Sequence, residues 1–228
     1  WGQVNSYRAV KMIEDNNFFN SSISQGITNT YSINVPSGVS KVKVMVYWHD
    51  KEANTSASIS LVNDIDIQLI DPNGQIFNPW VLDPTPNVSA LNSNAVQGFD
   101  HLNNMEQITI DNPVAGNYTI QLDGYNIPSG PQDFYVVYEY RDSDVILTFP
   151  NGGDPLVPGE SELIRWDAHG TSGSFSIEYS LDNGASWNTV APNVGAALRY
   201  FNWTVPSTLV TGEALVRITR GSSSDVSD

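Results

Sequence analysis

The sequence predicts an all-β protein with two sandwich-like domains that follow a single N-terminal helix. Apolar and polar residues alternate along most of the chain, which is the period of strands with one buried face. Turn signals rich in Gly, Pro, Asn and Asp separate these short runs. Only one segment, at the N-terminus, has a helical period. These three observations define the fold class and the order of its elements.

The predicted helix covers residues 4–19. Val10 and Ile13 lie on its apolar face, and Asn5 or Ser6 can cap its N-terminus. One amphipathic helix in a strand-rich chain has no evident partner, so we expect this face to remain outside the core of the chain. If Val10 and Ile13 are instead fully packed in that core, this interpretation fails.

The first strand series lies in a domain predicted at residues 21–142. Its strands are predicted at residues 31–35, 41–48, 64–70, 106–110, 117–122 and 134–140. Short, regular strands with few helices are typical of a jelly-roll β-barrel or sandwich. The long polar stretch 78–102 is predicted to be a loop that folds over this barrel, and loops of that length are often functional.

The second strand series lies in a domain predicted at residues 143–228. Its strands are predicted at residues 144–149, 163–166, 175–180, 187–190, 201–205 and 214–219. This length and strand spacing indicate an immunoglobulin-like or fibronectin-like β-sandwich. The tail 221–228 is expected to be a linker or a cut end.

Composition excludes several classes of partner. The 228 residues contain 25 Asp and Glu against 10 Lys and Arg, a net charge of −15, so nucleic acid and anionic membrane surfaces are unsuitable partners. No run approaches the roughly 18 apolar residues that membrane insertion needs. Cysteine is absent, which excludes disulfides and zinc–thiolate sites. Acidic turns suit a calcium-rich exterior, and they equally suit a chain whose acidity only keeps it in solution.

The motif Leu61-Val-Asn-Asp-Ile-Asp-Ile67 places two carboxylates two positions apart on one strand. At roughly 7 Å, Asp64 and Asp66 repel each other by about 2 kcal/mol unless water or a cation screens them. Oxygen-rich clusters at neighbouring strand ends are what calcium prefers. The alternative is that Asp64 caps backbone amides of the long loop while Asp66 pairs with Lys51 or His49. The candidate calcium ligands are Asp50, Asp64, Asp66, Asp100, Asn103 and Glu106.

Other motifs favour structural roles. His169-Gly-Thr-Ser-Gly-Ser174 imitates part of a serine-nucleophile motif, but it lies in a Gly/Ser-rich turn without the strand-to-helix context that such a serine needs. His49 beside Asp50 is expected to be structural. In Ser180-Leu-Asp-Asn-Gly-Ala-Ser-Trp187, Asp182 is expected to accept turn amides and Gly184 to adopt positive φ.

Three aromatic residues raise the possibility of a sugar-binding module, because jelly rolls also serve as carbohydrate-binding domains. Trp48, Trp80 and Tyr125 are the candidates for such a stacking platform. Their strand and turn positions favour core or loop-anchor packing instead.

Several motifs resemble parts of one protein family. Gly2-Gln-Val-Asn-Ser-Tyr-Arg-Ala-Val10 resembles the closing helix of subtilisin-like (peptidase S8) serine protease domains. The blocks after it are similar to the C-terminal jelly-roll barrel of certain secreted bacterial subtilases, which is related in architecture to the P-domains of proprotein convertases. The matching segments are 46–50, 61–67, 71–74, 103–106, 111–118 and 131–134. Residues 144–228 look like an Ig-like module of exported bacterial proteins.

The resemblance implies a non-catalytic accessory region of a secreted subtilisin-like serine endopeptidase. Residues 1–20 would be the end of a missing catalytic domain, and the Ig-like module would be truncated at its C-terminus. The barrel would dock on that domain, stabilise it with the help of calcium and affect access of the protein substrate. This chain holds none of the three motifs of the catalytic triad. The alternative function is a carbohydrate- or surface-binding module of an extracellular adhesin.

Overall fold

The computed structural model describes residues 4–207 and 211–228. It divides the chain into two compact units, residues 1–141 and 142–228. Both units are built from antiparallel sheets, so the predicted all-β class is confirmed. Gly2 and Gln3, which open the motif of the N-terminal helix, lie outside the described residues. No helix in the described part of the chain is both long and apolar enough to span a membrane.

The first unit contains two four-stranded sheets and a short ribbon. Its elements are α1 (Ser6–Glu14), β1 (Phe18–Ile23), β2 (Thr28–Val35), β3 (Lys41–Trp48), β4 (Asp64–Ile70), β5 (Ile76–Phe77), β6 (Trp80–Val81), α2 (Val88–Leu91), β7 (Val96–Gln97), β8 (Met105–Asp111), β9 (Gly116–Asn126) and β10 (Gln132–Arg141). The strand order is β1-β10-β3-β8 in one sheet and β2-β9-β4-β5 in the other, and β6 pairs with β7. All six strands predicted for this region are present.

The two large sheets of the first unit share one hydrophobic core. Alternate residues of β3 are buried, and Trp48 at its end is among the largest fully buried side chains. Phe134 of β10 and Tyr118 of β9 bring bulky rings into the same core from opposite sheets. This arrangement follows from period-2 alternation, because each strand presents one apolar face to the facing sheet.

The N-terminal helix is shorter than predicted. Asn5 caps it, with its side-chain oxygen accepting a hydrogen bond from the backbone N–H of Arg8 at 3.0 Å. It ends at Glu14, and Asn16 has positive φ (55°), which breaks the helical path before β1 begins. Residues 18 and 19 therefore belong to a strand. No residue of α1 is buried, and Val10 and Ile13 remain 53% and 66% exposed, as expected for an apolar face that lies outside the core of the chain.

The stretch 78–102 is not a plain loop. It contains the β6–β7 ribbon and the one-turn helix α2, which Asn87 caps through the backbone N–H of Ala90 at 2.9 Å. Strand β6 lies against β8, because the indole Nε1 of Trp80 donates a hydrogen bond to Thr109 Oγ1 at 2.7 Å. The ribbon therefore lies against the outward-facing side of β8.

The second unit is a sandwich of a three-stranded and a four-stranded sheet. Its strands are β11 (Val145–Phe149), β12 (Ser161–Ala168), β13 (Ser174–Ser180), β14 (Asn188–Gly195), β15 (Tyr200–Thr204), β16 (Leu215–Arg220) and β17 (Ser223–Val226). The orders are β11-β12-β15 and β14-β13-β16-β17. Trp166, Phe175 and Ile218 lie in its separate core.

The C-terminal tail contains a strand, so its prediction as a linker was wrong. Strand β17 pairs with β16, and Ser227 Oγ accepts a hydrogen bond from the backbone N–H of Val216 at 3.0 Å. Asp225 also accepts the backbone N–H of Leu147 at 2.7 Å. Ser and Asp have low strand propensity, so only this tertiary pairing makes the segment a strand.

Candidate functional site

Two acidic residues at the start of β4 are buried although they alternate with core residues. Ile65 and Ile67 lie in the hydrophobic core, while Asp64 and Asp66 are only 5% and 6% exposed. The pairing of β4 with β9 shifts register between the two aspartates. A bulge of this kind locally disrupts the hydrogen-bond ladder and redirects side chains. Sequence alternation alone would have placed both carboxylates in solvent.

His101 lies directly against both aspartates. Its Nδ1 is 2.8 Å from Asp64 Oδ2 and 3.6 Å from Asp66 Oδ1. The ring stacks on Tyr125, with centroids 4.3 Å apart, and so stands at the edge of the cluster, partly exposed. One ligand atom from each of the three residues lies within 4.8 Å of the other two. Three groups of this type at this spacing can bind a single metal ion.

Glu106 of β8 reaches the same cluster from the neighbouring sheet. Its side chain is 1% exposed, and Oε2 accepts a hydrogen bond from the backbone N–H of Ile67 at 2.9 Å. This bond holds the carboxylate beside β4. A buried glutamate is rare unless another group balances its charge, and no basic side chain among the described residues pairs with it.

Three carboxylate oxygens of this cluster are buried and accept no hydrogen bond within the described part of the chain. They are Asp64 Oδ1, Asp66 Oδ1 and Glu106 Oε1. Buried oxygens without partners cost roughly 1–3 kcal/mol each, and more when charged. We therefore define Asp64, Asp66, His101 and Glu106 as the carboxylate cluster.

The pKa values of the cluster show the same imbalance of charge. Burial, together with the charges of Asp66, Asp100 and Asp64, raises the pKa of Glu106 to about 9, against the opposing effect of the hydrogen bond from Ile67. Burial, followed by the charge of Asp64, raises the pKa of Asp66 to about 6. Burial also raises the pKa of Asp64, against the opposing effect of His101. A bound cation would reverse these shifts, since it favours the ionised form of each group.

Asp100, another predicted ligand, lies beside the cluster, and both oxygens of its carboxylate already accept hydrogen bonds. Asp100 is 2% exposed and accepts the backbone N–H groups of Leu102 and Asn103, at 2.9 and 3.2 Å. The side-chain amide of Asn103 donates to the second oxygen of Asp100 at 2.7 Å. Asp100 thus shapes the segment that brings His101 to the aspartates.

Asp50 organises the approach to β4. Its two oxygens accept the backbone N–H groups of Val62 and Asn63 at 2.7 and 2.8 Å. Its charge also contributes to the raised pKa of Asp64. The alternative for this region was wrong in both parts. Asp64 contacts the ring of His101 instead of capping backbone amides of the long loop, and Asp66 faces His101 instead of Lys51 or His49.

The structure therefore joins three of the six candidate ligands directly and places Asp50 and Asp100 next to them. Asn103 contacts Asp100 instead of the aspartates. Sequence reasoning missed His101. The available signal was its position immediately after Asp100 in a segment already chosen for its carboxylates.

The candidate sugar-stacking platform does not form. Trp48 is fully buried, with Nε1 donating to the carbonyl of Asn63 at 2.8 Å. Trp80 anchors β6 on Thr109, and Tyr125 stacks on His101. The three rings therefore occupy separate places.

The residues of the two rejected catalytic motifs are both exposed. Ser172 lies exposed before β13, and His49 is exposed just after the end of β3.

The hairpin around Asp182 has the expected structural chemistry. Asp182 Oδ1 accepts the backbone N–H of Ser186 at 2.8 Å, and hydrogen bonds from Ser186 and Ser180 lower the pKa of Asp182 to about 2. Gly184 has φ of 86°, and Arg217 stacks over Trp187 at 4.1 Å. These contacts satisfy the turn internally.

Comparisons with known proteins concern mainly the first unit. Residues 27–124 match the family model described as "Bacterial pre-peptidase C-terminal domain", a range that runs from β2 into β9. Two Dictyostelium discoideum proteins, the "Serine protease/ABC transporter B family" proteins tagB and tagA, are each 29% identical, over 98 and 119 residues. These alignments cover 43% and 50% of this chain but only 5% and 6% of those proteins.

Solved structures are only distantly similar. A Bacillus licheniformis lipase in propeptide form gives a TM-score of 0.33 at 13% identity, covering 89% of this chain and 36% of the lipase. The adhesin domain of Epf from Streptococcus pyogenes gives a TM-score of 0.29 at 10% identity, covering 93% of this chain and 77% of that domain.

Proposed function

We propose that this chain is the non-catalytic accessory region of a secreted subtilisin-like serine endopeptidase and that its first unit is stabilised by a bound calcium ion. The match of residues 27–124 to the pre-peptidase C-terminal family supports an association with proteases. The names of the two Dictyostelium relatives, which contain a serine protease, support the same association. The proteolytic activity itself belongs to the parent protein in this proposal.

The exposed face of α1 supports docking on a catalytic domain. Val10 and Ile13 are more than half exposed, although they form the apolar side of the helix. The opposite side lies against β10, where Arg8 pairs with Glu139 at 3.7 Å. A helix that contacts its own unit on one side and displays its apolar side suits a partner domain that covers the apolar side.

One observation carries the calcium proposal: three buried carboxylate oxygens at a single place have no hydrogen-bond partner in the described part of the chain. Calcium takes six to eight oxygen ligands and tolerates irregular geometry. Asp64, Asp66 and Glu106 would supply carboxylate oxygens, and Asp100 adds negative charge beside them. The donor set is dominated by carboxylates, which is the chemistry that a hard cation prefers.

The ion would supply charge compensation and cross-linking. It would connect β4 of one sheet to β8 of the other, because Asp64 and Asp66 belong to β4 and Glu106 to β8. It would also make the fold depend on an environment rich in calcium, which fits a secreted protein. The segment carrying His101 would be held in place by the same ion.

Calorimetric melting of the chain in EGTA and in calcium chloride tests this function. We expect calcium to raise the melting temperature of the first unit, with magnesium at the same concentration giving a smaller shift. The second unit, which lacks the carboxylate cluster, serves as an internal reference. Equal melting of the first unit in EGTA and in 10 mM calcium would refute the calcium proposal.

A further inference from the structure

A separate cavity lies on the outer face of the first unit, between the sheet β1-β10-β3-β8 and the β6–β7 ribbon. Its volume is about 440 Å³, which lies within the usual range for small-ligand sites. Lys41, Lys43 and Arg141 line it from the sheet, where the lysines alternate with core residues of β3. Trp80 and Leu82 line it from the ribbon side. We call this space the basic cavity.

The basic cavity concentrates positive charge in an acidic chain. Three of the ten Lys and Arg residues line it, although the net charge of the chain is −15. Lys41 pairs with Asp111 at 2.9 Å, and Arg141 Nε lies 3.3 Å from Glu139. Lys43 differs, since no described residue lies within hydrogen-bond or ion-pair distance of its ammonium group. The ammonium group of Lys43 is therefore available to pair with a ligand.

The surroundings of Lys43 show that its charge is poorly compensated. Burial lowers the pKa of Lys43, and the charges of Arg141, Arg8 and Lys41 lower it further against the opposing effect of Glu139. An anion bound beside Lys43 would balance this local excess of positive charge. A carboxylate does so with charge-assisted hydrogen bonds from an ammonium group.

The rest of the lining is polar on the sheet side and aromatic on the ribbon side. Gln107 Oε1 is buried and has no hydrogen-bond partner among the described residues. Thr109 holds the Trp80 indole in position at 2.7 Å, so the aromatic ring lines the cavity in a fixed orientation. An aromatic ring beside amide groups and a free cation matches a sugar ring, whose C–H face packs on indole while its hydroxyl groups pair with amides.

We propose that the basic cavity binds a sugar acid, namely a hexuronate residue of an acidic polysaccharide. The carboxylate of the sugar contacts Lys43, its apolar face packs on Trp80, and its hydroxyl groups pair with Gln107. Asp100 and Asn103, which lie beside the carboxylate cluster, also line the basic cavity. The proposed sugar contacts are nevertheless distinct from the calcium function proposed above, because they belong to β3, β6 and β8 and include none of the carboxylate cluster. Either proposal can therefore fail without the other.

Binding of trigalacturonate to the whole chain tests the proposal, with neutral galactotriose as the matched uncharged probe. Titrations followed by NMR in calcium buffer report on the indole N–H of Trp80, whose signal the variant Trp80→Phe identifies. We expect trigalacturonate to shift this signal and galactotriose to bind at least tenfold more weakly. Failure of trigalacturonate to bind, equal binding of both sugars, or an unperturbed Trp80 signal would each overturn the proposal.

The variant Lys43→Gln removes the free cation and keeps a side chain of similar length. We expect it to weaken trigalacturonate binding about 10- to 100-fold, as for loss of one charge-assisted hydrogen bond. Lys51→Gln is the matched control, because Lys51 carries the same charge but contacts Ser129 away from the cavity. An unchanged melting temperature shows that Lys43→Gln is folded.

Two further outcomes would assign the ligand elsewhere. If binding persists in Lys43→Gln but disappears in EGTA, calcium bridges the sugar and the basic cavity is not its site. If triglutamate peptide binds more tightly than trigalacturonate, the ligand is an acidic protein segment and the sugar class is wrong.

Discussion

Replacing Asp66 with Asn should stabilise the calcium-free chain and remove most of the stabilisation that calcium gives. The ligand atoms of Asp64 and Asp66 lie within 4.8 Å of each other. At an effective dielectric constant of about 20, two charges at that distance repel by about 3 kcal/mol. Asn keeps the shape of the side chain and removes the charge. At pH 8, above the pKa of about 6 for Asp66, this repulsion is present in the wild type.

In EGTA at pH 8 we therefore expect Asp66→Asn to be more stable by up to about 3 kcal/mol. For a unit of this size that corresponds to a melting temperature higher by roughly 5–10 °C. In 10 mM calcium this difference should largely disappear. A site with a dissociation constant of about 0.1 mM stabilises the wild type by about 2.7 kcal/mol, and the variant loses most of this gain because it lacks one charged ligand.

Differential scanning calorimetry of both proteins, with and without calcium, measures the effect. Asp133→Asn is the matched control, because Asp133 is an exposed residue of β10 outside the cluster. It should leave both melting temperatures unchanged. If Asp66→Asn melts below the wild type in EGTA, the repulsion argument is wrong. If calcium stabilises the variant as much as the wild type, Asp66 is not a ligand.

Three further predictions follow from the same contacts. Because the pKa values of Glu106 and Asp66 are raised in the folded state, the cluster's contribution to the stability of the calcium-free chain should fall as pH rises from about 4 to about 9. The urea midpoints measured in EGTA and in calcium should therefore diverge as pH rises, and parallel curves would contradict this. The double variant Val10→Asp and Ile13→Asp should leave the melting temperature of the chain unchanged but abolish pull-down of the catalytic domain from the parent protein; unchanged pull-down would argue against docking through α1. Ser180→Ala should destabilise only the second unit, by about 1–3 kcal/mol in calorimetry, because its buried hydroxyl accepts a hairpin amide at 2.8 Å; a shift of the first transition would exclude this local explanation.

The strands were predictable because their signal is local. Alternation predicted β3 and β10, whose inward residues are buried and whose outward residues are not. Strand β17 was missed because Ser and Asp residues carry no such signal, and its pairing with β16 supplies the hydrogen bonds instead. The end of α1 was misplaced because a positive φ at Asn16 depends on the path into β1.

The candidate site was predictable in part. Asp64 and Asp66 stand out because two carboxylates on one strand need compensation, and Glu106 follows from an acidic segment that enters another strand. His101 was missed because nothing local distinguishes a ligand histidine from a solvent-facing one. Its contact with Asp64 exists only because Asp100 folds the connecting segment by accepting the N–H groups of Leu102 and Asn103.

The sequence by itself determined the all-β class, the main strands, the acidic character of the chain and the exposed apolar face of its helix, because each depends on residue type and near-neighbour spacing. Only the tertiary structure decided which charges meet. The pairing of β3 with β8 and β10 brings Lys43 to the basic cavity, and the approach of β8 to β4 brings Glu106 to the aspartates. Burial then shifts the pKa values of these groups, since a carboxylate or an ammonium group loses its hydration only when distant parts of the chain pack around it.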